Sequence, residues 1–133
     1  MIDIENPVFT KVATAVRSAV AGVTIEGVEN YSPSKFPYVS FVEADNYFYS
    51  PTRDSASNEN HDVLMYEVNI FSNKQGGKKT QAKSIEAVID EVMNEIGFTK
   101  SSSTPMTSKD GTIYRRVARY TAIVSKDKVI FRR

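Results

Sequence analysis

Three stretches of this chain are too rich in β-branched and aromatic residues, for too long, to be ordinary strands: residues 38–49 (YVSFVEADNYFY), 62–72 and 112–125. Such residues favour a pleated, half-buried surface. Each stretch is roughly 11 to 14 residues against a usual ~5–6, and at ~3.3 Å per residue it reaches about 36 to 46 Å. A compact fold of this size has a radius of gyration of about 14 Å. The strands therefore run the full width of the molecule, and whatever packs on them has to be just as long.

Only two segments read as helices. In the first, Asn6 is the expected N-cap and Pro7 suits the first turn, where its missing N–H has no partner to lose. Val8, Phe9, Val12, Ala13, Val16, Ala19 and Val20 then recur at helical spacing, and Gly22 ends the element in the left-handed position. The second spans about residues 79–96, with Ala82, Ile85, Val88, Ile89, Val92, Met93 and Ile96 on one stripe and Gly97 as its stop. Lys78, Lys79 and Lys83 stand at its start, the unfavourable end for cations in the helix dipole. Helices of about 14 and 18 residues span ~21 and ~27 Å, shorter than the strands, so strand surface is left over.

Between these elements, residues 23–28 form a short β segment and 30–37 a turn-rich run. Residues 50–60 (SPTRDSASNEN) are polar and aperiodic, a mobile connection joining an antiparallel hairpin. The Ser101–Pro105 stretch reads as a loop or irregular edge strand, Asp110-Gly111 as a turn, and residues 129–131 as a last short strand. The order αβββαββ, with strands clustered between helices, predicts one α+β domain: a mainly antiparallel sheet of five or six strands with both helices on one face.

Alternation assigns the faces. In the second long strand Leu64, Tyr66, Val68 and Ile70 form the more consistently apolar row. In the third, Tyr114, Arg116, Ala118, Tyr120, Ala122 and Val124 form one row, where Ala118 and Ala122 let helices come close, and Ile113, Arg115, Val117, Arg119, Thr121 and Ile123 form the other. On the neighbouring strands Glu43, Asp45 and Glu67 are expected opposite those arginines. That mixed face reads either as a wet surface with weak cross-strand ion pairs or as a subunit contact anchored by arginine and aromatic groups. Tyr47, Tyr49, Arg53, Asp54, Glu67, Arg115 and Arg119 are its candidate interface residues.

Chemistry is sparse. There is no cysteine and one histidine, His61, which excludes a disulfide framework, thiolate metal sites, cysteine nucleophiles and any site needing two imidazoles. Gly76-Gly77-Lys78-Lys79-Thr80 lacks the first glycine of a phosphate loop. Glu43, Asp45, Glu59, Asp62 and Glu67 with His61 are the residue types of a magnesium site, but they fall on opposite faces or in the connection. Seventeen basic and sixteen acidic residues leave a net charge of +1, so DNA binding would need a local patch. The basic tail of Arg115, Arg116, Arg119, Lys126, Lys128, Arg132 and Arg133 is spread over both faces. No cofactor, catalytic residue or metal is expected. No segment has the ~20 apolar residues of a membrane span, and the start reads as a soluble chain without a cleaved signal.

Taken in order, Phe36-Pro37-Tyr38-Val39-Ser40, then Met65-Tyr66-Glu67-Val68-Asn69-Ile70-Phe71-Ser72-Asn73-Lys74, then Ile113-Tyr114-Arg115-Arg116-Val117-Ala118-Arg119-Tyr120 resemble the small minor structural proteins of long-tailed bacteriophages and prophages, in the tail terminator or head-tail joining group. The resemblance covers nearly the whole chain and consists of strand and turn patterns. It implies a virion protein without enzyme activity. Such a protein assembles as a ring, usually of six, between the major tail tube protein and the head connector, with flexible loops, here residues 50–61, ordering on contact. Neighbouring connector or tail-completion roles fit the same patterns. A small nucleic-acid-binding or metal-dependent nuclease domain is the competing reading.

Overall fold

The computed structural model describes residues 2–30, 33–48, 61–107 and 111–132. Its elements follow the expected order: α1 (Glu5–Ala19), β1 (Thr24–Glu26), β2 (Tyr38–Phe48), β3 (His61–Ser72), α2 (Lys78–Ile96), β4 (Thr99–Thr107), β5 (Tyr114–Ser125) and β6 (Ile130–Arg132). The sheet runs β1-β2-β3-β5-β4, with β6 on β5. Only β1 on β2 is parallel; every other pairing is antiparallel. The outer edge of β5 is shared, β4 taking Tyr114 to Thr121 and β6 taking Ala122 to Val124.

Both helices lie on one face. Val8, Val12, Ala13 and Val16 of α1 and Ala82, Ile85, Ile89 and Met93 of α2 bury against Leu64, Tyr66, Val68, Ile70, Ala118, Tyr120, Ala122 and Val124. A run of rings ties the layer together: Phe9 to Phe41 at 6.1 Å, Phe41 to Tyr66 at 5.2 Å and Tyr66 to Phe98 at 5.4 Å between centroids. These separations are those of favourable aromatic pairs.

Helix ends depart from expectation at two points. The C-cap of α1 is Val20 in an extended conformation, so Gly22, at φ +78°, turns the chain beyond the helix and does not end it. Asn6 is not the N-cap: the cap position falls two residues earlier, at Ile4, and the Glu5 N–H donates to the Asp3 carboxylate at 3.0 Å. Pro7 still loses nothing, because the Val8 N–H is the first to reach back into the helix, to Ile4. Gly97 ends α2 at φ +118°, its N–H and that of Phe98 both donating to the Met93 carbonyl. A Cβ there would stand 3.0 Å from the Ile130 side chain, so a residue other than glycine at position 97 meets both backbone strain and a tight contact.

The irregular stretch 101–105 is an edge strand, as one of the two expectations had it, with Pro105 on the outermost strand, where a missing donor is tolerated. Two β-bulges change what strict alternation predicts. In β2 the register passes from Glu43 opposite Tyr66 to Asp45 opposite Met65, leaving Ala44 as the extra residue. Glu43 keeps the phase of Val39 and Phe41 on the helix side, and the extra residue sends Asp45 to the outer face with Glu67, so the two carboxylates part. In β4 the register passes from Lys100 opposite Tyr120 to Ser102 opposite Arg119, so Lys100 and Ser103 share the helix side.

Candidate protein interface

The sheet face away from the helices carries the expected mixed rows. Asp45, Met65, Thr121 and Thr99 form one; Val42, Glu67, Arg119 and Ser102 the next; Ser40, Asn69, Val117 and Thr104 a third; and Tyr38, Phe71, Arg115 and Met106 a fourth. Tyr47, opposite Val63, is 44% exposed at one end and Met106 47% exposed at the other. Tyr38 and Ser40 are covered, donating to Glu26 Oε1 and to the Val28 carbonyl, both at 2.8 Å.

The structure brings together four of the candidate residues, Tyr47, Glu67, Arg115 and Arg119, on this face. Tyr49, Arg53 and Asp54, with the connection 50–60, lie outside the described residues. The two arginines are held differently. Arg115 donates from Nε and Nη2 to Asn69 Oδ1 at 2.9 and 2.6 Å and lies 5.4 Å over the Phe71 ring, a rigid planar platform. Arg119 donates to Glu67 Oε1 at 2.9 Å, yet its side chain stays about half exposed. In water such a pair contributes little to stability, but its surface becomes valuable once a neighbour displaces the water.

Alternation missed a second cluster, between α2 and the sheet. Glu86 sits within the apolar stripe of α2, its side chain only 9% exposed. Its Oε1 accepts from Arg116 Nε at 2.7 Å, its Oε2 from Lys100 Nζ at 2.9 Å, and both oxygens accept from the Ser103 hydroxyl. Arg116 also donates to the Tyr114 hydroxyl and to Ser103 Oγ. Lys100 reaches on to Asp90 at 2.8 Å, and the Tyr120 hydroxyl donates to the other Asp90 oxygen. Burial alone would raise the Glu86 carboxyl, but donors from Arg116, Lys100 and Ser103 and the Lys100 charge outweigh it and hold it below the usual carboxylate range. The readable signal was one charge in each apolar row, Glu86 on the helix and Arg116 on the strand. The third partner, Lys100, depends on the β4 bulge, which no residue type announces.

A third polar group gathers at the start of α1. Glu43 accepts from Asn46 Nδ2 at 3.1 Å, its backbone N–H donates to Glu5 Oε2 at 3.2 Å, and the Ile2 N–H donates to buried Asp62 at 2.9 Å. Burial, then the charges of Glu5, Asp3 and Asp62, raise the Glu43 carboxyl despite the Asn46 bond. Among the described residues no three acidic or histidine side chains converge as a metal site. Glu86 is occupied as a structural counter-ion, and a carboxylate held ionised by two cations is a poor proton donor or acceptor at neutral pH. No described helix is long and apolar enough to cross a membrane.

No protein-family model matches the sequence, and no curated protein matches it. Among solved structures, the chain is similar to one in "Virion of native gene transfer agent (GTA) particle", with TM-score 0.61 and 15% identity, over 89% of this chain and 91% of that one. At this identity the likeness is one of fold: two helices on one side of a mainly antiparallel sheet.

Proposed function

We propose that this chain is a structural protein of a phage-like virion, and within that class a tail terminator or head-tail joining protein. It acts as a ring, of six copies on the family resemblance, between the tail tube and the head connector. The single observation that carries the reading is the sheet face that no helix covers, which exposes Asp45, Tyr47, Arg119, Thr104 and Met106. Strands of 11 and 12 residues span about 36–40 Å, and both helices lie on the other side. The similarity of fold to a chain of a gene transfer agent virion, nearly end to end, supports the class. The strand and turn patterns of the sequence support the finer role.

In this reading the chain works by contact alone. Tyr47, Arg119 and Glu67, with Tyr49, Arg53 and Asp54 of the adjoining connection, meet the neighbouring subunit or tube, while Arg115 offers a fixed guanidinium plane. Co-sedimentation of the purified chain with tail tubes and with head connectors tests the role. Saturable binding that weakens about tenfold in the Tyr47→Ala/Arg119→Ala variant supports it, that loss being the share expected of anchor residues. A chain that stays monomeric and binds neither structure refutes it. Magnesium-dependent cleavage of DNA, or a salt-sensitive gel shift, would establish the nucleic-acid reading instead.

A further inference from the structure

The solvent side of α2 carries an unusual charge order. One row at four-residue spacing reads Lys79, Lys83, Ala87, Glu91, Glu95, and all five are exposed. The first turn of the helix holds no acid and the last no base, so both ends oppose the helix dipole. Lys79 with Lys83, and Glu91 with Glu95, are like-charge pairs four residues apart, which also disfavours the helix. Among the described residues none of these four side chains takes part in an ion pair. An arrangement that works against its own helix in four places is explained when a partner carries the complement.

The complement is this same row read backwards, since the charges are antisymmetric about Ala87. We propose that a second copy of this chain docks antiparallel along α2, with a two-fold axis through Ala87. At 100° per residue, Lys83 and Glu91 lie about 40° to either side of Ala87, and Lys79 and Glu95 about 80°. A two-fold axis lying in the contact plane reverses the axial position of each residue and keeps its lateral one, so the row of one copy falls on the reversed row of the other when the two helices cross at about 50°, the angle at which four-residue rows align. It then sets Lys83 against Glu91 of the second copy and Lys79 against Glu95 of it, giving four ion pairs, the outer two within reach of long side chains.

Ala87 is small enough for close approach. Interaxial distances of about 8–10 Å, less two helix radii of about 2.3 Å, leave the two Ala87 Cα atoms about 3.5–5.5 Å apart. With one alanine at its centre and charges around it, the contact is specific and salt-sensitive, and it belongs with small transient interfaces. It lies on the helix side of the molecule and leaves the outer sheet face free, so it does not depend on the virion reading.

Two measurements on the full chain test it. By sedimentation in low salt, wild type forms a dimer that dissociates as ionic strength rises from about 0.05 to about 0.5 M, where screening reaches contact distance. Lys79→Glu/Lys83→Glu and Glu91→Lys/Glu95→Lys are each expected to be monomeric, their equimolar mixture to form a heterodimer, and the fourfold variant combining all four changes to regain the homodimer. Because the chain has no cysteine, Ala87→Cys gives a single thiol on the axis, in range for a disulfide. Mild oxidation should cross-link it at least about tenfold faster than Thr14→Cys on the exposed face of α1, an encounter-limited control. A monomeric wild type in low salt, a mixture of the two double variants that stays monomeric, or equal cross-linking at positions 87 and 14 overturns the proposal. None of these outcomes bears on tail-tube binding.

Discussion

Replacing Glu86 by alanine isolates the junction between α2 and the sheet. The substitution leaves Arg116, whose side chain is 14% exposed, without its carboxylate, while its bonds to Tyr114 and Ser103 persist. Lys100, a third exposed, turns back to Asp90 and water. Breaking a buried ion pair from one side costs about 3–5 kcal/mol. The surviving Arg116 bonds and the accessibility of Lys100 place this case at about 3 kcal/mol or slightly below. With an unfolding entropy of about 2.1 cal/mol/K per residue, a chain of 133 residues loses ~3.5 °C per kcal/mol, so Tm should fall by about 10 °C. The assay is thermal unfolding by circular dichroism at pH 7, with Arg116→Met and the Glu86→Leu/Arg116→Met double variant completing the set. The double variant should recover most of the loss, because it removes both charges instead of stranding one. Since the folded fold holds the Glu86 carboxyl below its ordinary 4.5, its stabilising share is complete above that value and fades as pH falls through the lower, folded one. A Glu86→Ala chain that melts within ~2 °C of wild type at pH 7 would refute this reasoning.

Glu43→Gln should raise Tm at pH 7: folding raises the Glu43 carboxyl above 4.5, so its charge opposes folding at neutral pH, and the advantage should vanish once acid has protonated the wild-type group in both states. Gly97→Ala should lower Tm by about 4–7 °C, combining a left-handed backbone at φ +118° with the 3.0 Å approach to Ile130. Tyr66 and Tyr120 should respond oppositely to loss of the hydroxyl. Tyr66 is fully buried with no hydrogen-bond partner for its oxygen among the described residues, so Tyr66→Phe should be neutral or stabilising by up to about 1 kcal/mol in denaturant unfolding. Tyr120→Phe removes the hydrogen bond to the Asp90 carboxylate and should cost about 1–2 kcal/mol.

Element order and type were legible because each rests on a local signal. The apolar stripes of α1 and α2 are periodic, Gly22 and Gly97 stand where a positive φ is needed, and β3 and β5 are long runs of β-branched and aromatic residues with one more consistently apolar row each. The failures trace to single-residue events that alternation cannot represent. One extra residue at Ala44 puts Asp45 on the face opposite to Glu43, and one at Ser101 brings Lys100 beside Ser103 and so assembles the Glu86 cluster. Asn6 lost the cap because Asp3, three residues earlier, supplies an equivalent oxygen. Of the outer face, the sequence showed which residues of β3 and β5 share it, but wrongly added Glu43, and did not show that Arg115 is immobilised over Phe71 while Arg119 stays half exposed. That distinction depends on Asn69, the diagonal neighbour of Arg115 on β3.

The central claim is that the sheet face opposite the helices is covered by other virion proteins. The most direct measurement is thiol labelling of Thr104→Cys, exposed on that face, before and after the chain binds tail tubes, with Thr14→Cys on α1 as reference. The account predicts that labelling at position 104 slows about tenfold or more on the tubes while position 14 keeps at least part of its rate, burial in a packed contact being what excludes reagent and water. Unchanged labelling at position 104 on tubes to which the chain is demonstrably bound would contradict it.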